Sequence, residues 1–306
     1  MERMFFNLQA THHRWIGFII AIFSSLVMWG QSGTNKAVEE LVNHGFENVR
    51  WIENDNECIY TIENNVYRAQ GVGIAQALDI IQKHGLSTEK RCKVIVTHLE
   101  VPELSLTYHP NECDTIGVAD KRRWETSYEV GDSWDSIKKE KAKNSSRFKV
   151  DILVYPQLSF KNLIITQIYQ VLFTLNPAIE VSLWPGMKLT GQVIIPVYND
   201  GYGDLQDKVH PGFITLSQRF RLPYNIKGKA TIGYFSADRY GADLMLFYPF
   251  KDERFSLEGR IGSVAIGYWN GFKLHYDTEF STTWSLGGNF YWPKYNTNFS
   301  LKGEQY

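Results

Sequence analysis

The stretch FKVDILVY at residues 148–155 sets the pattern for the second half of the chain. Its apolar residues at 148, 150, 152 and 154 alternate with the others, and FSLEGRI at residues 255–261 shows the same alternation. Successive side chains of a strand point to opposite faces of a sheet, so this period predicts strands with one apolar and one polar face. Turn residues such as Pro185-Gly186 and Asn270-Gly271 separate the segments. We therefore predict a mainly β, antiparallel region of about ten strands over residues 147–306.

The aromatic residues favour a membrane barrel over a soluble sandwich. In a sandwich the apolar faces form the core, whereas in an outer-membrane β-barrel they meet lipid, and aromatic residues then collect at the two lipid interfaces. Nine aromatic residues lie at or near segment ends: Trp184, Tyr198, Tyr224, Tyr240, Tyr248, Phe250, Trp269, Tyr291 and Trp292. The link at 184–187 is expected on the side of the N-terminal domain, with the long loop 199–211 on the opposite side and Tyr306 back on the domain side.

The polar face would line the lumen of such a barrel. An Arg or Lys facing lipid at the midplane costs about 2 to 4 kcal/mol, which largely dictates the orientation. The candidate lumen-facing residues are Arg219, Arg221, Lys229, Glu258, Arg260, Lys273, Asp277 and Glu279. A lumen of mixed charge could guide a hydrated glycan. The alternative, that these groups pair and fill a narrow barrel, is equally open.

The N-terminal segment has the order of a secretory signal. His12, His13 and Arg14 precede the apolar run at residues 15–29, and small residues follow at Gly30 and Ser32. A spanning helix needs roughly 20 apolar residues, so a cleaved signal peptide over residues 1–32 is favoured over a membrane anchor. The protein is therefore expected to be exported.

Residues 33–109 predict a small α+β domain in the periplasm, before the barrel. Helical periodicity follows Thr34 and recurs over residues 74–84, and two strands are expected after each helix. Residues 110–146 are polar and include the charged run 138–143, which predicts a solvated linker, although Trp124 and Trp134 hint at some packing.

Composition excludes several functions. The 32 basic and 33 acidic residues lack the basic surplus of a nucleic-acid binder. Cys58, Cys92 and Cys113 match no zinc pattern, which leaves one disulfide or three buried thiols. The loop at residues 200–207 has three carboxylates but not the full spacing of a calcium loop. We expect no cofactor and no metal.

Catalysis needs convergent acid, base or nucleophilic groups, and the sequence offers only scattered ones. Asp238, Asp243, Asp252 and Glu253 could be imagined as a carboxylate pair for glycoside hydrolysis. Acidic residues are common where strands reverse, so they are interpreted as turn and loop residues. The protein is therefore not expected to be an enzyme.

Several phrases resemble the YjbH-type outer-membrane proteins associated with exopolysaccharide and capsule production. Those in the strand region are VSLWPGMKLT (181–190), PGF (211–213), RYGADL (239–244) and PFKDERF (249–255), and those before it are GFENV (45–49) and ENNVYR (63–68). The resemblance covers most of the mature chain. It implies an outer-membrane β-barrel with a periplasmic domain that works with polysaccharide-export proteins, and it implies no catalytic residues.

One departure concerns size. Barrels of that family tend to be larger, so about ten strands could be an incomplete wall, either a truncated product or one part of a larger pore. The function expected is non-enzymatic assistance to export or assembly of exopolysaccharide or capsule at the cell outer membrane. Its expected partners are outer-membrane lipid, export proteins and a polysaccharide ligand. The alternatives are a secreted or surface β-sandwich that binds or hydrolyses glycans, and a general diffusion pore.

Overall fold

The computed structural model describes residues 35–86, 89–110, 124–162, 169–235 and 238–305. The predicted signal peptide at residues 1–32 lies outside the described residues. The described chain is mainly β and contains two sheets, one in the small N-terminal domain and one over the rest of the chain. None of the helices in this part of the chain is long and apolar enough to cross a membrane.

The small domain follows the predicted order of helix, two strands, helix, two strands. Its elements are α1 Lys36–Asn43, β1 Glu47–Glu53, β2 Glu57–Glu63, α2 Gln70–His84, β3 Arg91–His98, β4 Val101–Tyr108, β5 Trp124–Ser127 and α3 Gly131–Ile137. The strands form one sheet in the order β1-β2-β3-β4-β5, in which only the β2–β3 pair is parallel. Helix α2 is the crossover between these two strands, as a parallel pair requires.

Helices cover both faces of this sheet. Helices α1 and α2 place Leu41, Ala77 and Ile81 in a core that also contains Tyr60 and Val94. On the opposite face, Ile137 of α3 packs with Ile59, Ile95 and Val130. The alternation of side chains along β2 and β3 supplies both cores, because successive residues point to opposite faces.

Part of the predicted polar linker at residues 110–146 belongs to the small domain. Strand β5 pairs with β4, and the Trp124 ring lies 5.5 Å from that of Tyr108. The Asn144 backbone carbonyl accepts a hydrogen bond from the Asn48 amide at 2.8 Å. The linker prediction is wrong for residues 124–146, because these few contacts hold the segment to the domain although charged residues dominate its composition. Residues 111–123 of the predicted linker lie outside the described residues.

The second half of the chain contains the predicted ten strands. They are β6 Val150–Lys161, β7 Gln170–Ser182, β8 Met187–Asp200, β9 His210–Arg221, β10 Lys227–Phe235, β11 Arg239–Pro249, β12 Phe255–Asn270, β13 Lys273–Tyr276, β14 Ser281–Trp292 and β15 Thr297–Gln305. Nine of them form one antiparallel sheet in the order β6-β7-β8-β9-β10-β11-β12-β14-β15. We call it the large sheet.

The large sheet is open in the described residues: β6 and β15 are its edges, and they do not pair with each other. Strand β13 pairs only with the last four residues of β12, so β12 and β14 are direct neighbours. Strand β13 is therefore a short hairpin arm that does not cross the sheet.

The small domain lies at one end of the large sheet. In the tight link before β8, the Gly186 amide donates to the Leu99 carbonyl at 2.7 Å, and the loop 201–209 lies at the other end. The sequence predicted both positions, the link at residues 184–187 on the domain side and the loop before β9 on the opposite side. Strand β15 runs away from the domain and ends at Gln305, because the hairpin arm β13 does not cross the sheet. Tyr306, which was expected on the domain side, lies outside the described residues.

Candidate functional site

The two faces of the large sheet differ in chemistry. Cross-strand partners lie on the same face. One row of partners runs Leu244, Ile261 and Trp284 across β11, β12 and β14, and a parallel row on the other face runs Lys229, Met245 and Arg260 across β10, β11 and β12. We call these the apolar face and the polar face.

Five of the eight predicted lumen-facing residues share the polar face. Arg219 pairs with Lys229 in the row that continues to Arg260, and the next row contains Arg221 and Glu258. Lys273 pairs with Asn270, on the same side of β12 as Arg260, but it belongs to the hairpin arm β13 rather than to the large sheet. Asp277 and Glu279 are in the exposed segment between β13 and β14. The prediction is wrong for Asp277 and Glu279 as strand residues, because β13 ends at Tyr276.

Arg221 binds the small domain. Its guanidinium donates to the backbone carbonyls of Pro102 at 3.0 Å and Glu103 at 3.3 Å, and also to the Tyr128 carbonyl. The same group donates to Asn225 Oδ1 at 2.6 Å within the sheet. A planar group with five donors suits this convergence of acceptors. Alternation predicted the face on which Arg221 lies but not this role, because its partners are backbone atoms far away in the sequence.

Charge complementarity extends the contact. The Glu103 carboxylate lies 2.9 Å from Lys227 Nζ and 3.6 Å from Arg219. Lys227 Nζ also lies 4.5 Å from the centre of the Tyr128 ring, and the Tyr128 amide donates to Glu253 at 3.2 Å. The domain thus docks on the basic end of the polar face, so these side chains are engaged rather than open to a channel.

A buried ionic group holds the start of the large sheet. Glu100 accepts hydrogen bonds from Arg50 at 2.6 Å and from Arg147 at 2.5 Å. Arg147 lies just before β6 in the chain. Burial opposes ionisation of Glu100, but hydrogen bonds from the two arginines outweigh it and lower the pKa of its carboxyl. The neighbouring Glu63 is also buried and accepts from the amides of Leu99 and Glu100.

His98 lies at the same junction. Burial lowers the pKa of its imidazole, and the positive charge of Arg219 acts in the same direction. Glu63 and Glu103 oppose this shift, and Lys188 reinforces it. The lowered pKa favours the neutral imidazole of His98, which adds no charge to the basic end of the polar face.

A cavity of about 580 Å³ opens on the polar face over β6 to β9. Three amide side chains from successive strands line it, Gln157, Asn176 and Gln192, together with the half-exposed ring of Tyr155. Asn176 is 3% exposed, and its Nδ2 donates to Gln157 Oε1 at 3.0 Å. The sequence analysis missed these amides, because it considered only charged residues as lumen candidates.

The Asn176 Oδ1 atom is buried without a hydrogen-bond partner. Leaving a buried carbonyl unpaired costs about 1 to 3 kcal/mol, so such an atom calls for an explanation. Gly212 allows the Gln192 side chain to lie close to the backbone of β9, since a Cβ at position 212 would lie 2.4 Å from Gln192 Oε1. The cavity lining therefore combines the unsatisfied acceptor of Asn176 with the side-chain amide of Gln192.

The carboxylates considered for hydrolysis have separate partners. Asp243 accepts from Arg260 at 2.5 Å and Asp252 from Arg254 at 2.6 Å, while Asp238 accepts from the Tyr234 hydroxyl at 3.1 Å. Within the described ranges, no group of three or more His, Cys, Asp and Glu residues could hold a metal ion, the loop at 200–207 included. These contacts give no arrangement of acid, base and nucleophile.

The structure tests in part whether the cysteines form one disulfide or remain buried thiols. Cys58 and Cys92 are paired positions on β2 and β3, and both are buried free thiols. Cys113 lies outside the described residues.

A second cavity, of about 530 Å³, lies where the small domain meets the large sheet. Three carboxylates line it, those of Glu125, Glu129 and Glu253, with Lys251 nearby.

Comparison with known proteins yields no matching family model, curated protein or solved structure.

Proposed function

We propose that this chain is a non-enzymatic outer-membrane β-barrel protein that assists export or assembly of exopolysaccharide or capsule. The observation that carries the proposal is the uncovered apolar face of the large sheet. Ile152 is 73% exposed, Leu286 61% and Leu301 83%, on the first, eighth and ninth strands of the sheet. Soluble proteins rarely leave so extended an apolar surface in water. Lipid as the solvent of this face accounts for it.

The strand dimensions agree with a membrane span. A tilted strand needs about 9 to 11 residues to cross the hydrocarbon core. Strand β10 has 9 residues and β12 has 16, the extremes of the nine strands of the large sheet. Aromatic residues lie at strand ends, for example Tyr198, Tyr248 and Trp292, which suits two lipid interfaces.

The sandwich alternative has less support. A sandwich needs a second sheet about 10 Å above the apolar face. Among the described residues, the only other sheet is that of the small domain, which contacts the end of the large sheet through Gly186 and Arg221. The apolar residues of β6, β14 and β15 are left exposed, so the lipid environment is the better explanation.

The open edges determine what completes the wall. Unpaired backbone groups are very costly in hydrocarbon, so a sheet in lipid needs a partner at each edge. Strands β6 and β15 run in the same direction, because nine strands alternate between them. Antiparallel closure therefore needs an odd number of additional strands, and we propose that this sheet is one part of a larger barrel.

The polysaccharide assignment rests on the family resemblance of the sequence. The polar face supports this assignment, because its hydrated side chains suit contact with a hydrophilic polysaccharide. The small domain, docked at one end of the sheet by Arg221 and Glu103, would face the periplasm and present the surface for export proteins. The general diffusion pore has no specific observation in its favour, since the domain contacts engage Arg219 and Arg221.

Deletion and complementation test this function. Cells that lack the gene should lose surface polysaccharide, measured by staining and by composition analysis of the cell wash. Full-length protein should restore it, and should stay with the outer membrane after an alkaline carbonate wash. A chain that carries Leu286→Asp should fail on both counts, whereas the matched polar-face control Ser285→Asp should restore both. Unchanged polysaccharide in the deletion strain would contradict the function.

A further inference from the structure

We propose that the cavity over β6 to β9 binds an uncharged sugar unit, with Asn176 as its central hydrogen-bonding residue. This inference rests on the proposed function and names the ligand chemistry of one site on the polar face. The cavity volume of about 580 Å³ falls within the usual range for small-ligand pockets, about 300 to 1,000 Å³.

The amides determine the class of ligand. Each amide offers an acceptor oxygen and two donor hydrogens, which suits ligand groups that both donate and accept. Hydroxyl groups have this property, and a sugar presents several on neighbouring carbons. Asn176 Oδ1 is buried and unpaired, so a hydroxyl donor would remove its desolvation cost. Gln157 and Gln192 lie on the strands to either side and line the same cavity, so one ligand in it could contact more than one amide.

The remaining lining fits the apolar faces of a sugar ring. Tyr155 lies opposite Asn176 in the strand register, and its side chain is 47% exposed, so its ring is available to a ligand. An aromatic ring beside polar groups provides an apolar plane for C–H groups while the amides take the hydroxyls. Tyr155 and Asn176 together thus match a molecule with both kinds of surface.

The charges around the cavity argue against an anion. Its lining, within the described residues, includes the carboxylates of Glu180 and Asp238 and no lysine or arginine. The Glu180 carboxylate is already paired with Lys188 Nζ at 2.8 Å. An acidic sugar would meet these carboxylates without a lysine or arginine in the described lining to pair with it, so the expected ligand is uncharged.

Binding by the full-length protein tests the site. The protein is purified in lauryldimethylamine oxide, which has no sugar headgroup, and titrated calorimetrically with cellohexaose, maltohexaose, mannohexaose and the anionic hexagalacturonate. At least one neutral hexasaccharide should bind, and hexagalacturonate should bind at least about tenfold more weakly. Asn176→Leu should weaken binding of the neutral sugar about tenfold or more, because the buried acceptor is lost. Asn289→Leu, on the same face but outside the cavity, should bind like the parent.

Two further arms complete the test. Tyr155→Ala removes an exposed ring without disturbing buried packing and should also weaken binding, which keeps the proposal testable if Asn176→Leu fails to fold. The uncharged sugar could come from a glycolipid headgroup or from a free chain. Dodecyl maltoside, which carries a sugar headgroup on an alkyl chain, is added as a competitor to distinguish the two sources. The proposal is overturned if no neutral sugar or headgroup binds, if both cavity variants bind like the parent, or if hexagalacturonate binds equally well. Failure here with polysaccharide still lost on gene deletion would remove this site and leave the proposed function standing.

Discussion

Glu100 links the small domain to the first strand of the large sheet through two arginines, Arg50 and Arg147. Its environment shows how an ionised group is kept inside: both partners donate directly to the carboxylate, and the backbone amide of Glu100 itself donates to Glu63. Glu100 lies in the tight turn between β3 and β4, and nothing in the neighbouring sequence indicates that its carboxylate is buried. Its partners come from β1 and from the segment before β6, which only the folded chain brings together.

The first prediction concerns Glu100→Gln. The variant removes the charge that pairs with buried Arg50, and we expect the free energy of unfolding at neutral pH to fall by about 3 kcal/mol. The folded pKa of Glu100 is lowered, so this stabilisation is present above the unfolded value near pH 4.3 and is lost as pH falls through the folded value. Urea denaturation followed by tryptophan fluorescence between about pH 7 and about pH 3 measures it.

The matched control is Glu125→Gln, whose parent side chain is 75% exposed beside His109. It should change the free energy of unfolding by less than about 0.5 kcal/mol. A Glu100→Gln variant as stable as the parent at neutral pH, or a stability difference that does not shrink on acidification, would show that the ionic group does not hold this junction.

At the scale of elements, the contact between the small domain and the large sheet depends on the end of β9. Arg221→Ala leaves the carbonyls of Pro102, Glu103 and Tyr128 without this donor. We expect the peptide covering residues 124–130 to exchange its amide hydrogens at least about tenfold faster, because a loosened contact opens more often. Hydrogen exchange followed by mass spectrometry measures it on the full-length chain.

Two further variants serve as controls for the hydrogen-exchange measurement. Arg221→Lys retains the charge but not the planar set of donors, so it should restore little of the protection. Arg239→Ala removes an exposed arginine at the opposite end of the sheet and should leave exchange in residues 124–130 unchanged. Equal protection in Arg221→Ala and the parent would mean that the domain is held by other contacts.

Much of the element pattern could be predicted, and each failure has its own physical cause. Period two located the large sheet, because a sheet with one apolar face repeats it along every strand. It could not show that β13 has only four residues, since alternation continues through hairpin arms. Composition misjudged residues 124–146, where Trp124 and Ile137 supply the packing and surrounding charges hide them. The amides of the cavity were missed because polar uncharged residues are common on any polar face.

For the whole molecule, we propose that lipid covers the apolar face and water covers the polar face. The two faces alternate along β14, where Ser285 pairs with Arg260 and the adjacent Leu286 pairs with Gly259. Neighbouring residues thus lie on opposite faces at nearly the same position along the strand. A comparison between them separates the effect of the face from the effect of position along the strand.

Spin labels at Ser285→Cys and Leu286→Cys, in a chain whose three natural cysteines are replaced by alanine, test the claim most directly. Collision rates with oxygen, which concentrates in lipid, and with a water-soluble nickel complex are measured by electron paramagnetic resonance after reconstitution in vesicles. We predict that the label at 286 collides mainly with oxygen and the label at 285 mainly with the nickel complex. Equal access of the nickel complex to both labels would contradict a lipid-facing apolar surface.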